Sequence, residues 1–220
     1  MSFAVVPIKH LSRSKTRLAS RLERDALEQL CLAMLRDILA ALQKTPSLDR
    51  VVVVTPDPSV AEASEAAGAI ALLREDPGLN ESIDAAIHEA GTPGESVLVV
   101  LGDVAGALPE EVERLFETVA EADTHPVVAL APSRDGGTAA LLRAPCDAIA
   151  SCFGPDSAAR HREAACERGV TLREIALPSL DIDLDHPEDI DDFLARPGGG
   201  EETRRTLANL GWTRPPENHT

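Results

Sequence analysis

Asp181, Asp183 and Asp185 occupy alternate positions in the chain. Alternate side chains of an extended segment point to one side, so the three carboxylates are expected to share a face. Like charges that close repel one another unless a cation lies among them, and a divalent metal with oxygen ligands is the natural occupant. The same stretch has a second reading. Asp185-His186-Pro187-Glu188 fits a capping box, with Asp185 as N-cap and Glu188 reaching back. A further carboxylate, Asp103, follows Gly102 directly after the apolar run 96–101. At the carboxyl end of a central strand it would project into a ligand crevice and could hold Mg²⁺. As a turn or N-cap residue it would do neither.

Chemistry of the opposite sign gathers near the start. Lys9, Arg13, Lys15 and Arg17 fall within ten residues, directly after the apolar segment 3–8. A loop between a strand and a helix offers backbone N–H groups, and Lys and Arg add charge, which is the combination a polyphosphate needs. The loop has no Gly and no GK[ST], so it is not a Walker A loop. Basic residues at a helix start oppose the helix dipole unless an anion is present. Two Gly-containing turns, 134–138 (Arg-Asp-Gly-Gly-Thr) and 153–157 (Phe-Gly-Pro-Asp-Ser), read either as phosphate cradles or as ordinary turns. His88 and His161 read as surface or packing residues. Ser, His and Asp are present without a nucleophile-elbow pattern, so no acyl-transfer triad is expected.

The elements that must position these groups follow from hydropathy. Residues 3–8 and the runs 50–55 (RVVVVT) and 96–101 (SVLVVL) read as strands, the latter two buried on both faces. Leu27, Leu30, Cys31, Met34, Leu35, Ile38, Leu39 and Leu42 recur at steps of three and four, which makes one helical stripe. Further helices are expected at 59–67, from an Asn80 cap to 90, at 109–122, 155–168 and 187–195. Further strands are expected at 69–73, 126–131, 139–143 and 170–176. Alternating strands and helices predict a mainly parallel sheet with helices on both faces. One domain, 1–195, is expected, with 196–220 a polar tail, mobile or peripherally packed.

Composition narrows the partners. The 220 residues carry a formal net charge of −16, and aromatics make up only 2%, with no Tyr. A chain this acidic repels nucleic acid and anionic membrane, and there is no apolar run long enough to span a bilayer. The charge is nevertheless divided. Residues 1–24 hold six basic residues against one acid, whereas 181–192 hold seven acids and no Lys or Arg. A basic lip and an acidic strand could meet at one site, so the net value does not exclude a small anion. Four cysteines without a CxxC pair read as idle thiols in a reducing cytoplasm.

Together the motifs resemble one family, the small guanylyltransferases of coenzyme F-420 biosynthesis. The resemblance is carried, in order, by VVPIKHLSRSKTRLA (5–19), a strand ending in Gly102-Asp103, SRDGGTAALL (133–142), FGPDSAARH (153–161) and DIDLDHPEDI (181–190), and covers about residues 3 to 195. It implies an α/β, single-domain, Rossmann-like three-layer sandwich of the nucleotide-diphospho-sugar transferase (GT-A-like) type. It also implies a reaction joining GMP from GTP to the phosphate of a three-carbon acid: phosphoenolpyruvate, 2-phospho-L-lactate or 3-phospho-D-glycerate. Under that resemblance Asp103, Asp183 and Asp185 match metal carboxylates for Mg²⁺. Lys9, Lys15 and Arg17 match the basic loop that meets the GTP phosphates. Pro7, Asn80 and Asp103 fall near the nucleotide, and Thr138, Gly154 and Ser157 match positions that hold the acid's phosphate. The family often has a proline after its GD and an Asn after its GGT; here Val104-Ala105 and Ala139 stand there instead. A cytoplasmic enzyme is expected, with the guanine read by backbone and aliphatic contacts; the sequence leaves the oligomeric state open, a homodimer being one option. A molybdenum-cofactor or sugar nucleotidyltransferase is the first rival, although those usually carry a Gly-rich first loop. A non-catalytic nucleotide-binding domain is the second.

Overall fold

The computed structural model describes residues 1–213. Seven strands form one sheet in the order β3-β2-β1-β4-β6-β5-β7. They are β1 (Ser2–Pro7), β2 (Arg50–Thr55), β3 (Ile70–Leu73), β4 (Ser96–Val100), β5 (Val127–Pro132), β6 (Thr138–Ala144) and β7 (Thr171–Glu174). All neighbouring pairs are parallel except the two made by β6, which runs antiparallel to β4 and β5. The helices are α1 (Arg24–Gln43), α2 (Pro58–Ala66), α3 (Leu79–Ala90), α4 (Pro109–Ala120), α5 (Ser157–Glu167), α6 (Pro187–Ala195) and α7 (Glu201–Asn209).

Strand periodicity divides the core into two layers. Ala4, Val6, Val51, Val53, Leu98 and Val100 face the side covered by α1, α2 and α4. Their neighbours Phe3, Val5, Val52, Val54, Val97 and Val99 face α3 and α5. Apolar residues at both parities are required because both faces are covered. Each fully buried Val or Leu contributes about 1.5–3 kcal/mol relative to exposure. The two layers thus offset the lack of aromatic side chains with many aliphatic ones.

After β1 the chain builds outward through β2 and β3, then returns to β4 on the other side of β1. That reversal opens a crevice beyond the carboxyl ends of β1 and β4, where ligands bind in sheets of this kind. Gly102 permits it to close tightly. A Cβ there would lie 1.9 Å from Ile8 Cδ1.

Two local expectations are corrected and one left open is decided. Asn80 does not cap α3; Gly78 is the N-cap, and Asn80 lies within the helix. Asp185 is not the N-cap of α6. His186 is, and Asp189 rather than Glu188 reaches back, its Oδ2 accepting from the His186 N–H at 2.6 Å. Of the two alternatives expected for the end of the chain, the described residues 196–213 take the packed one. Gly199 and Gly200 pass against the backbone of 105–107, and α7 then buries Thr203 and Leu207 completely. Asp37 of α1 caps it, accepting from Glu202 N at 3.0 Å and Thr203 N at 2.7 Å. Leu207 joins Leu27, Leu30 and Met34 in a third cluster with α6, so the described part of 196–220 belongs to the domain.

Candidate active site

The basic loop enters the crevice because two devices fold it inward. Asp57, buried at the start of α2, accepts from the Leu11 N–H at 2.9 Å and meets His10 Nδ1 at 3.0 Å. Lys15 adopts a left-handed backbone, φ 53°, between the 3₁₀ turns Leu11–Arg13 and Thr16–Ser20. A non-glycine residue there is strained, and such strain clusters at functional sites. The turn drives the Lys15 side chain inward until it is only 5% exposed.

There it meets the acidic strand. Lys15 Nζ donates to Asp185 Oδ1 at 2.7 Å and to Asp103 Oδ2 at 3.3 Å. Arg17 approaches Asp185 Oδ2 at 3.5 Å from the solvent side. Burial pulls the Lys15 pKa down, but Asp103 and Asp185 outweigh it and hold the ammonium at about 12. Burial raises the Asp185 carboxyl, while Lys15 and Arg17 pull it down, leaving it below the ordinary range. Asp183 goes the other way. Burial raises it, and the charges of Asp103 and Asp185 raise it further.

Asp103, Asp183 and Asp185 each bring one oxygen to within 4.8 Å of the others. Asp103 Oδ1 is buried with no hydrogen-bond partner among the described residues. An all-carboxylate set with an orphaned oxygen fits a hard divalent cation. Asp181, expected on the same face, instead pairs with Arg196 at 2.5 Å. Residues 181–185 form no strand: Asp181 lies in a bend and Asp185 N donates to Asp183 O at 3.0 Å, so the alternation of an extended segment does not hold there.

Beside the carboxylates lies a cavity of about 340 Å³. Pro7, Ile8, Lys9, Arg13, Lys15 and Arg17 line one side, Gly102, Asp103 and Asp185 another, and Met34, Leu79 and Leu101 supply apolar walls. Among the described residues, no aromatic side chain lines it. Asn80 does not line this cavity. Its amide donates to Phe153 O at 3.1 Å and accepts from Phe153 N at 2.7 Å, fixing the 152–154 turn.

Thr138, Gly154 and Ser157 form a second group. Ser157 Oγ donates to Thr138 Oγ1 at 3.0 Å. Gly154 holds φ 115° and accepts from Ser157 N at 3.1 Å. The two Gly-containing turns are knit together, Ala158 N donating to Gly136 O at 3.2 Å. Thr138 begins β6, and the carbonyl of the next residue, Ala139, accepts from Leu101 N at 3.5 Å. Both groups therefore flank the carboxyl end of β4. His161, read from the sequence as a surface or packing residue, is completely buried and contacts Thr138. Its position four residues after Ser157, on one face of a helix, was the available signal.

Comparison with known proteins gives the family and the fold. A family model described as "Guanylyl transferase CofC like" matches residues 2–220. A phosphoenolpyruvate guanylyltransferase from Sphaerobacter thermophilus is 40% identical over 87% of this chain and 92% of its own. A 3-phospho-D-glycerate guanylyltransferase from Colwellia psychrerythraea is 31% identical over 85% of this chain and 88% of its own. Among solved structures, a protein from Desulfovibrio desulfuricans described as a nucleotide-diphospho-sugar transferase superposes with a TM-score of 0.74. It covers 95% of this chain and 96% of that one at 17% identity. A Methanothermobacter nucleotidyl transferase gives 0.63 at 20% identity, covering 95% and 99%. At those identities the two structures speak for the fold, a Rossmann-like nucleotidyltransferase sandwich.

Proposed function

The chain belongs to the CofC-like guanylyl transferase family, and from that premise we propose that it transfers GMP from GTP to the phosphate of a three-carbon phospho-acid, with release of pyrophosphate, as a step of coenzyme F-420 biosynthesis. The acid is phosphoenolpyruvate, 2-phospho-L-lactate or 3-phospho-D-glycerate. The names of the relatives support the first and the third. One observation carries the reading. A buried Lys15 bridges Asp103 and Asp185 at the strand-reversal crevice, beside an uncompensated Asp103 oxygen.

In the proposed reaction an oxygen of the acid's phosphate attacks the α-phosphorus of GTP in line. A new P–O bond forms there as the bond from the α-phosphorus to the β-phosphate oxygen breaks, and the electron pair leaves with pyrophosphate. The attacking oxygen is already ionised at neutral pH, so no general base is needed. Catalysis then rests on positioning and on neutralising charge. Asp103, Asp183 and Asp185 would hold Mg²⁺, which supplies electrostatic stabilisation of the phosphoryl oxygens. Lys15 carries its positive charge at the boundary between those carboxylates and the cavity. Lys9, Arg13 and Arg17 line the same cavity and meet the remaining phosphate charge. Pro7, Ile8, Leu79 and Leu101 give the base an aliphatic bed in place of an aromatic platform. Thr138, Gly154 and Ser157 offer hydroxyl and backbone donors to the acid.

The test is pyrophosphate release from each of the four NTPs with each of the three acids, with and without Mg²⁺. The proposal expects release only with GTP, an acid and Mg²⁺. Release with CTP and a sugar phosphate would point to the sugar-type rival, and no release under any condition to a binding domain.

A further inference from the structure

We propose that His161 is a positioning residue that fixes the Thr138 hydroxyl as a hydrogen-bond donor toward the acid substrate. This rests on the reading above in one respect, that Thr138 meets that acid.

The argument starts from a backbone amide. Cys152 N lies 3.0 Å from His161 Nε2. A backbone N–H can only donate, so Nε2 must present its lone pair. The imidazole is completely buried, with the Phe153 ring edge-on to it at 4.9 Å. Burial, followed by the nearby Arg143 and Arg160 charges, pushes its pKa down to about 4. The ring is therefore neutral, and its single proton must sit on the other nitrogen, Nδ1.

Nδ1 lies 3.0 Å from Thr138 Oγ1. With its proton there, His161 donates to that oxygen. The Ser157 hydroxyl donates to the same oxygen at 3.0 Å. A hydroxyl has two acceptor lone pairs and one donor hydrogen. Both lone pairs of Thr138 are thus occupied, and its own proton remains for a third partner. Among the described residues, Thr138 Oγ1 makes no hydrogen bond besides these two. A phosphate or carboxylate oxygen, which can only accept, is the chemistry that completes the set. If the imidazole carried its proton on Nε2, Thr138 would donate to Nδ1 and present no proton to an anion.

The chain of bonds runs from one turn to the other. Cys152 belongs to the turn that Asn80 pins, and Thr138 follows the Gly136-Gly137 turn. His161 joins them through the face of α5 that also carries Ser157.

Two variants separate the roles of the ring nitrogens. His161→Gln places its amide oxygen near the Nε2 position, where it can accept from Cys152 N, but loses the donor to Thr138. His161→Asn keeps a donor near the Nδ1 position and loses the Cys152 contact. Steady-state kinetics should show KM for the acid rising about tenfold in His161→Gln, on the scale of one hydrogen bond to a charged group. KM for GTP should not change, and His161→Asn should recover most of the loss. In a Thr138→Val background, His161→Gln should cost nothing more, because the group it acts through is gone. Equal losses in both histidine variants, a matching rise in KM for GTP, or additive effects with Thr138→Val would each overturn the proposal.

A second measurement is independent of substrate. Long-range ¹H–¹⁵N spectra of the intact wild-type protein at pH 7 should show His161 protonated at Nδ1 and bare at Nε2. The opposite tautomer overturns the proposal whatever the enzyme turns over. A wild type that carries the expected tautomer but turns over none of the three acids defeats the substrate reading instead.

Discussion

Lys15 Nζ and Asp185 Oδ1 lie 2.7 Å apart although 170 positions separate the two residues. The contact joins the basic segment at the start of the chain to the acidic segment near its end, and Asp103 completes the junction at 3.3 Å from the same ammonium. A strongly negative net charge thus conceals a site in which cations and carboxylates face one another across a crevice.

Removing Lys15 leaves three carboxylates facing one another without their internal cation. Breaking a fully buried pair costs about 3–5 kcal/mol, and screening at the 36%-exposed Asp185 side chain reduces this to about 2. Thermal melts of Lys15→Met should show that loss, and millimolar Mg²⁺ should raise the Tm more in the variant than in the wild type. Equal shifts in the two proteins would mean that the carboxylates do not share one cation.

Asp183 is a different case, because its neighbours disfavour its charge. Asp183→Asn should leave the Tm unchanged or slightly higher while turnover falls on the order of 10²–10³-fold, the scale for losing one electrostatic group at the reacting centre. Asp103→Asn should lower turnover on the same scale but also lower the Tm modestly, because Asp103 accepts from the buried Lys15 ammonium. A variant that unfolds, or one that keeps full turnover, contradicts the assignment of these groups to the site.

The buried His161 gives stability a definite pH dependence. Its folded pKa, about 4, lies below the ordinary 6.5. Between those values the unfolded chain binds the proton and the folded one does not. Stability should therefore be unaffected by this group above pH 6.5 and fall as pH drops toward 4, by up to about 1.4 kcal/mol per pH unit. Denaturant titrations from pH 4 to 7 should give a shallower slope for His161→Gln than for the wild type. Parallel slopes would mean that the imidazole is charged in the folded state.

The Asp37 cap is the simplest test of the last helix. Asp37→Ala removes acceptors from Glu202 N and Thr203 N and should cost about 1–2 kcal/mol. Hydrogen exchange should report early loss of protection over 201–209. Unchanged protection there would show that packing of Thr203 and Leu207 alone holds α7.

The core strands were legible because burial on both faces demands unbroken apolar runs, and β2 and β4 have them. The site carboxylates were legible because Asp103 ends one such run and Asp183 and Asp185 stand two apart. The α7 helix was not, since its sequence is mostly polar and only Thr203 and Leu207 reach the core. The Asp181 partner was not, because Arg196 comes to it only through the fold of α6. Asn80 was read as a cap from its residue type, yet its amide is spent on Phe153, 73 positions away. His161 looked like packing for the same reason. Its spacing of four from Ser157 places both on one face of α5, but nothing local announces the contact with Cys152.

The most direct measurement follows the α-phosphate itself. GTP labelled at that position is incubated with Mg²⁺ and phosphoenolpyruvate, 2-phospho-L-lactate or 3-phospho-D-glycerate, and label and pyrophosphate are counted together. The account predicts label in a product in which GMP is joined to the acid's phosphate, one pyrophosphate for each, formed about 10²–10³-fold more slowly by Asp103→Asn. Label that stays in GTP with all three acids, or a product formed equally by Asp103→Asn, would contradict it.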